Sequence, residues 1–310
     1  MKAASATLSV PALLVAALLV GATGCASTDP PDRNARPTVF ACVAPHGYFA
    51  RRIAGGLVDV QVLVRDGVNP HTFAPTTRDM VALSRADLYF RAGLGFEDAL
   101  CGKLAGVRNG PRIIDTRAGL DLLDETEHAH DGHTDHAGLE GARNKDPHAW
   151  LSPKLAARQA ATIRDAMCEQ YPAHADVFAR NAAELSAELD AMDARIAKVL
   201  AGLKGRKFFV FHPAFGYFAA AYDMRQEAVE TGGKSPSLKD INRLIAEAKA
   251  DKVRVIFVQP QFSTQAAQTI AAEIGGVVVP IDPLAGDYIA NMDALAESVR
   301  SALSGESDSR

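Results

Sequence analysis

The chain has 310 residues, with 33 Lys and Arg against 37 Asp and Glu, a formal net charge of -4 and a sequence pI near 6.1. That balance provides no basic footprint for a phosphate backbone, so nucleic acid is excluded as a partner. The length is enough for two ordinary domains with real cores.

Met1-Lys2 is followed by an apolar run, Pro11 to Val20, and then by Gly21-Ala22-Thr23-Gly24-Cys25. The run is too short to span a membrane and ends in small residues, so residues 1–24 read as an export signal and the mature chain as extracytoplasmic. Cysteine directly after Ala22-Thr23-Gly24 resembles a bacterial lipobox, which makes Cys25 the expected lipidated terminus. Residues 25–37 are polar, carry prolines and would serve as a tether to the membrane. Cys42, Cys101 and Cys168 then remain, enough for one disulfide at most. None of them has a C-x-x-C partner, which disfavours a thiolate metal site.

From Thr38 the pattern predicts a strand at Val39 to Val43, a helix at His46 to Gly55 and a strand at Val58 to Val64. A helix at Thr76 to Ala86 follows, with strands at Asp87 to Arg91 and Arg112 to Asp115. Such alternation implies a mostly parallel sheet covered by helices, and so an α/β lobe over 38–174. Residues 124–145 have no apolar period and read as an exposed loop. A helix begins at Pro153, and 175–203 form one amphipathic helix whose length suggests a strut between two lobes rather than part of either core. Strands at Phe208 to Phe211, Val253 to Val258 and Gly276 to Pro280, with helices between and after them, make 204–310 a second α/β lobe ending in a polar tail.

Four of the nine histidines adjoin prolines: His46 near the start of the first predicted helix, and the three that carry the metal reading, in Asn69-Pro70-His71, Asp146-Pro147-His148 and His212-Pro213. Neutral imidazole is a favoured zinc ligand, and proline stiffens the backbone that presents it. His71 and His212 follow predicted strands, as does Asp282, and His148 opens the loop before the Pro153 helix. In open α/β sheets ligands bind beyond the carboxyl ends of strands, so these four side chains can converge between the lobes. Three imidazoles and a carboxylate suit Zn²⁺ first and Mn²⁺ second. The fourth position stays open to Asp287 or Glu230, and His46 reads as a capping or surface residue or a hydrogen-bonding partner of a ligand. His128, His130, His133 and His136 on the acidic loop would gather metal weakly, since ordering a loop costs entropy.

These motifs resemble one family, the metal-binding solute-receptor lipoproteins of zinc and manganese ABC importers, of the zinc-uptake type. The resemblance runs from about Thr38 to Leu303, on Asn69-Pro-His71-Thr-Phe-Ala-Pro75, Asp146-Pro-His148-Ala-Trp-Leu-Ser-Pro153, Phe211-His212-Pro-Ala-Phe-Gly-Tyr-Phe218, Gly233-Lys-Ser-Pro-Ser237, Gln259-Pro-Gln-Phe262 and Ile281-Asp-Pro-Leu284. It implies two α/β lobes joined by a long rigid helix, metal in the interlobe cleft, and delivery of Zn²⁺ by a monomeric, membrane-anchored receptor to an ABC permease and its ATPase. By that likeness His71, His148 and His212 match ligand positions, Asp282 matches the carboxylate position, and the histidine-bearing loop matches that of zinc-type members. Gly232-Gly233-Lys234 departs from the more acidic segment often found there. Three rivals remain: a manganese receptor of the same family, an adhesin whose metal only rigidifies the fold, and a secreted zinc hydrolase. The last lacks an H-E-x-x-H motif.

Overall fold

The computed structural model describes residues 36–124, 145–230 and 237–304. The export signal, Cys25 and its tether, the four loop histidines and the polar tail lie outside the described residues. No helix among those described is long and apolar enough to cross a membrane.

The first lobe is built from β1 (Thr38–Ala41), α1 (Ala44–Ala54), β2 (Asp59–Val62), α2 (Thr77–Leu83), β3 (Leu88–Arg91), α3 (Gly95–Ala105) and β4 (Arg112–Asp115). Its four strands pair in the order β2-β1-β3-β4 and are all parallel. A short helical turn, Ala149–Leu151, leads into α4 (Pro153–Gln170), whose proline sits where a missing N–H costs nothing. After α5 (Ala175–Leu200), the second lobe runs β5 (Lys207–Val210), α6 (Gly216–Ala221), β6 (Arg225–Ala228), α7 (Leu238–Ala250), β7 (Val255–Val258), α8 (Gln265–Glu273), β8 (Val277–Pro280) and α9 (Tyr288–Ser304). Its sheet repeats the arrangement of the first, β6-β5-β7-β8, again parallel. In each sheet the strand order reverses beside the first strand, which leaves a crevice at the carboxyl ends.

Two elements were not foreseen. The residues of α3 show no clean apolar stripe, and the helix is fixed instead at its start, where the buried Glu97 carboxylate accepts from the backbone N–H groups of Ala92, Gly93 and Leu94 and from Tyr89 Oη. Strand β6 reads Arg-Gln-Glu-Ala and lacks the apolar alternation of a strand; as an edge strand it pairs only with β5.

The long helix is not a strut outside the cores. Phe178, Ala182, Leu185, Leu189, Met192, Ile196 and Leu200 recur every three or four residues on one face of α5, and all are buried in the main hydrophobic cluster. That cluster also holds Phe49 and Ile53 of α1, Phe208 and Val210 of β5, and Met292 and Leu295 of α9, so one core joins the two lobes. Alternate residues of β5 face opposite ways, and Phe209 packs with Leu244, Ile256 and Ile270 in a second, smaller cluster. Cys42, Cys101 and Cys168 are all free thiols, and the one disulfide that was possible does not form.

Candidate metal centre

Each of His71, His148 and His212 is held by its own backbone device. In the loop after β2, Asn69 Oδ1 accepts from His71 N at 2.9 Å and Asn69 O accepts from Thr72 N at 3.3 Å, the side-chain-capped turn that Asn before Pro favours. In the segment before α4, Asp146 Oδ1 accepts from both the backbone N of His148 (2.9 Å) and its ring Nδ1 (2.7 Å). Just beyond β5, the Gln259 side chain pairs with the His212 backbone in both directions, each bond 3.1 Å long. The ring Nδ1 of His212 lies 2.8 Å from Glu230 Oε1, and Phe262 stacks on the ring with centroids 4.7 Å apart.

These devices bring the three rings together. Each of the three residues offers a ligand atom within 4.8 Å of those of the other two. The Nε2 atoms of His71 and His148 are 3.3 Å apart, and His212 Nε2 is buried with no hydrogen-bond partner among the described residues. Carboxylates only accept, so the Nδ1 atoms of His148 and His212 carry the protons and their Nε2 lone pairs face the common centre. For bonds of about 2.0–2.1 Å, the edge of a tetrahedral zinc site is about 3.3 Å, so the spacing of His71 and His148 already fits.

His148 is 5% exposed and His212 6%, while His71 is the most accessible of the three. Burial, reinforced by His148 and His212, pushes the His71 pKa down to about 2. His212 is also held below its ordinary value, chiefly by burial and against the pull of Glu230. Both rings are therefore neutral at physiological pH, the form that binds metal.

Asp282, expected as the fourth ligand, is not part of the three-histidine group. Its Oδ1 accepts instead from Gln261 Nε2 at 2.8 Å and from Leu284 N at 2.9 Å, closing the Asp-Pro turn. Negative charge reaches the centre through two carboxylates one step out, Asp146 and Glu230, both buried. Sequence reasoning placed Glu230 among possible fourth ligands and gave Asp146 and Gln259 no role. His46 is not a surface or capping residue: it is fully buried, with its ring edge-on to Trp150 at 5.6 Å and Nε2 3.5 Å from Thr116 Oγ1. Its spacing from Phe49, Ala50 and Ile53 on α1 was the available signal. Asp124 and Lys145, the roots of the histidine-bearing loop, join as an isolated antiparallel bridge and an ion pair.

Comparison with known proteins gives a consistent result. Residues 39–302 match the family model described as "ZnuA: Zinc-uptake complex component A periplasmic". The chain is 28% identical to the high-affinity zinc uptake system protein ZnuA of Bacillus subtilis over 301 residues, covering 91% of this chain and 94% of that protein. It is 29% identical to the zinc-binding lipoprotein AdcA of Streptococcus pneumoniae, covering 76% of this chain but 48% of the longer relative. Among solved structures, a crystal structure of ZnuA superposes with a TM-score of 0.78 at 36% identity, covering 86% of this chain and 99% of the other.

Proposed function

The chain belongs to the ZnuA family of periplasmic zinc-uptake components, and on that footing we propose that it captures Zn²⁺ outside the cytoplasm and delivers it to an ABC permease with its ATPase. The observation that carries this reading is the convergence of three histidines, two of them (His148 and His212) with Nδ1 engaged by buried carboxylates, and His212 also with a buried Nε2 that has no hydrogen-bond partner among the described residues.

In this reading His71, His148 and His212 replace water around the incoming ion, each as a neutral imidazole donating through Nε2. Asp146 and Glu230 fix the ring orientations of His148 and His212 and raise the basicity of their Nε2 atoms. Lipidation of Cys25 would keep the receptor, a monomer, at the membrane beside its permease. The histidine-bearing loop would raise local zinc concentration. The protein acts as a receptor and not as an enzyme.

Calorimetric titration of the metal-stripped mature protein with Zn²⁺ and Mn²⁺, beside His212→Ala, tests the reading. One tight zinc site weakened more than about 100-fold in the variant is expected, because losing a ligand costs more than losing its outer partner. Preference for Mn²⁺, or tight binding that survives the substitution, would contradict it.

A further inference from the structure

The segment that carries His148 belongs to the first lobe, where Asp146 N donates to Leu123 O at 3.0 Å and Trp150 meets the His46 ring at 5.6 Å, yet it is also bonded to the second lobe. Tyr217 of α6 donates its hydroxyl to Asp146 O at 2.8 Å and accepts from Leu123 N at 3.0 Å. Trp150, the single tryptophan of the chain, donates Nε1 to Pro283 O at 2.8 Å, and Tyr288 of α9 donates its hydroxyl to Trp150 O at 2.5 Å. Trp150 is fully buried, with its ring edge-on to His148 at 5.4 Å. Broken bonds in such an interior have no water to replace them.

His212 is held on the same lobe by Gln259. His71 differs from both. Among the described residues, the hydrogen bonds of residues 65–76 run to one another, to Asp79 and to Met80, all in the first lobe, apart from the approach of His71 Nε2 to His148. Phe73 packs on Phe96, also of the first lobe.

We propose that Trp150 is a positioning residue which, with Tyr217 and Tyr288, latches His148 to the second lobe, so that His148 and His212 form a standing two-imidazole half-site that His71 completes. His148 then bridges the two lobes, whereas the bonds of the His71 loop stay on the first. The half-site holds a divalent ion weakly, and capture is the addition of the third imidazole across the cleft. This inference rests on the metal-capture reading above.

The test follows zinc release into excess EDTA by stopped flow, for the wild-type chain and for Trp150→Phe, Tyr288→Phe and Tyr217→Phe. Zinc affinities of His71→Ala and His148→Ala are measured alongside. Each latch variant is expected to bind one zinc and to release it about 5- to 10-fold faster, the loss equivalent to one buried hydrogen bond. His71→Ala, which keeps the half-site, is expected to bind zinc about 10-fold more tightly than His148→Ala. Wild-type release rates in all three latch variants, with lowered melting points alone, would make the contacts merely structural and sink the proposal. Equal or tighter binding by His148→Ala would do the same. Absence of tight zinc binding by the wild-type chain removes the capture reading and the half-site with it, whereas tight wild-type binding with unaltered release removes the latch alone.

Discussion

Glu230 and Asp146 show how much of a metal centre lies one step outside it. Each holds the Nδ1–H of a histidine whose other nitrogen faces the centre, and each is buried. Glu230→Gln, which keeps an acceptor but removes the charge, should lower zinc affinity by about 10-fold, and Glu230→Ala by up to about 100-fold, in a competition titration against a chelating dye. Unchanged affinity in both would mean that His212 needs no carboxylate. His71, His148 and His212 could be read from the sequence because a proline beside a strand end is a local signal. Asp282 also follows a predicted strand, but its carboxylate turns to Gln261 and Leu284, and no spacing encodes side-chain direction. His46 carries a separate consequence. Burial lowers its pKa to about 4 from an ordinary 6.5. Between those values the unfolded chain takes up a proton that the native protein refuses, so stability is lost as pH falls from 6.5 to 4. The loss is about 3 kcal/mol for a shift of this size. Urea unfolding across that window should show this slope in the wild type and a flatter one in His46→Leu.

Among the elements, α5 decides how the molecule unfolds. A 26-residue amphipathic helix could have been a strut, but its apolar face enters a core that includes α1, β5 and α9. Leu189 is 1% exposed on that face. Leu189→Ala should cost about 2–5 kcal/mol and shift a single cooperative transition, followed by circular dichroism. Two separated transitions, one per lobe, would restore the strut. The periodicity of α5 was plain in the sequence; its partners were not, because every helix face that buries against another element looks alike in one dimension. Strand β6 went unseen for the opposite reason. Its polar residues serve the site: Gln226 accepts from Phe215 N at 2.9 Å and donates to Pro213 O at 3.2 Å, bracing the loop that carries His212.

At the scale of the whole molecule, two sheets with the same strand order place their carboxyl-end crevices where three histidines from distant parts of the chain meet. The α/β alternation and most strand positions were legible from apolar runs, and the two-lobed architecture followed from them. What the sequence concealed was the set of bonds between lobes, in which Trp150, Tyr217 and Tyr288 reach carbonyls encoded 71 to 138 residues away. Because zinc would bind the native arrangement and not the scattered ligands of the unfolded chain, free Zn²⁺ at 100 times its dissociation constant should stabilise the fold by about 2.7 kcal/mol. Calorimetric melting should show that gain as a higher midpoint that returns to its starting value after chelation.

The most direct test of the account is zinc-edge X-ray absorption on the mature protein loaded with one equivalent of Zn²⁺. Three imidazoles should appear in the multiple scattering, with Zn–N distances of about 2.0–2.1 Å. Fewer than three imidazoles, or a sulfur shell near about 2.3 Å, would contradict the three-histidine centre.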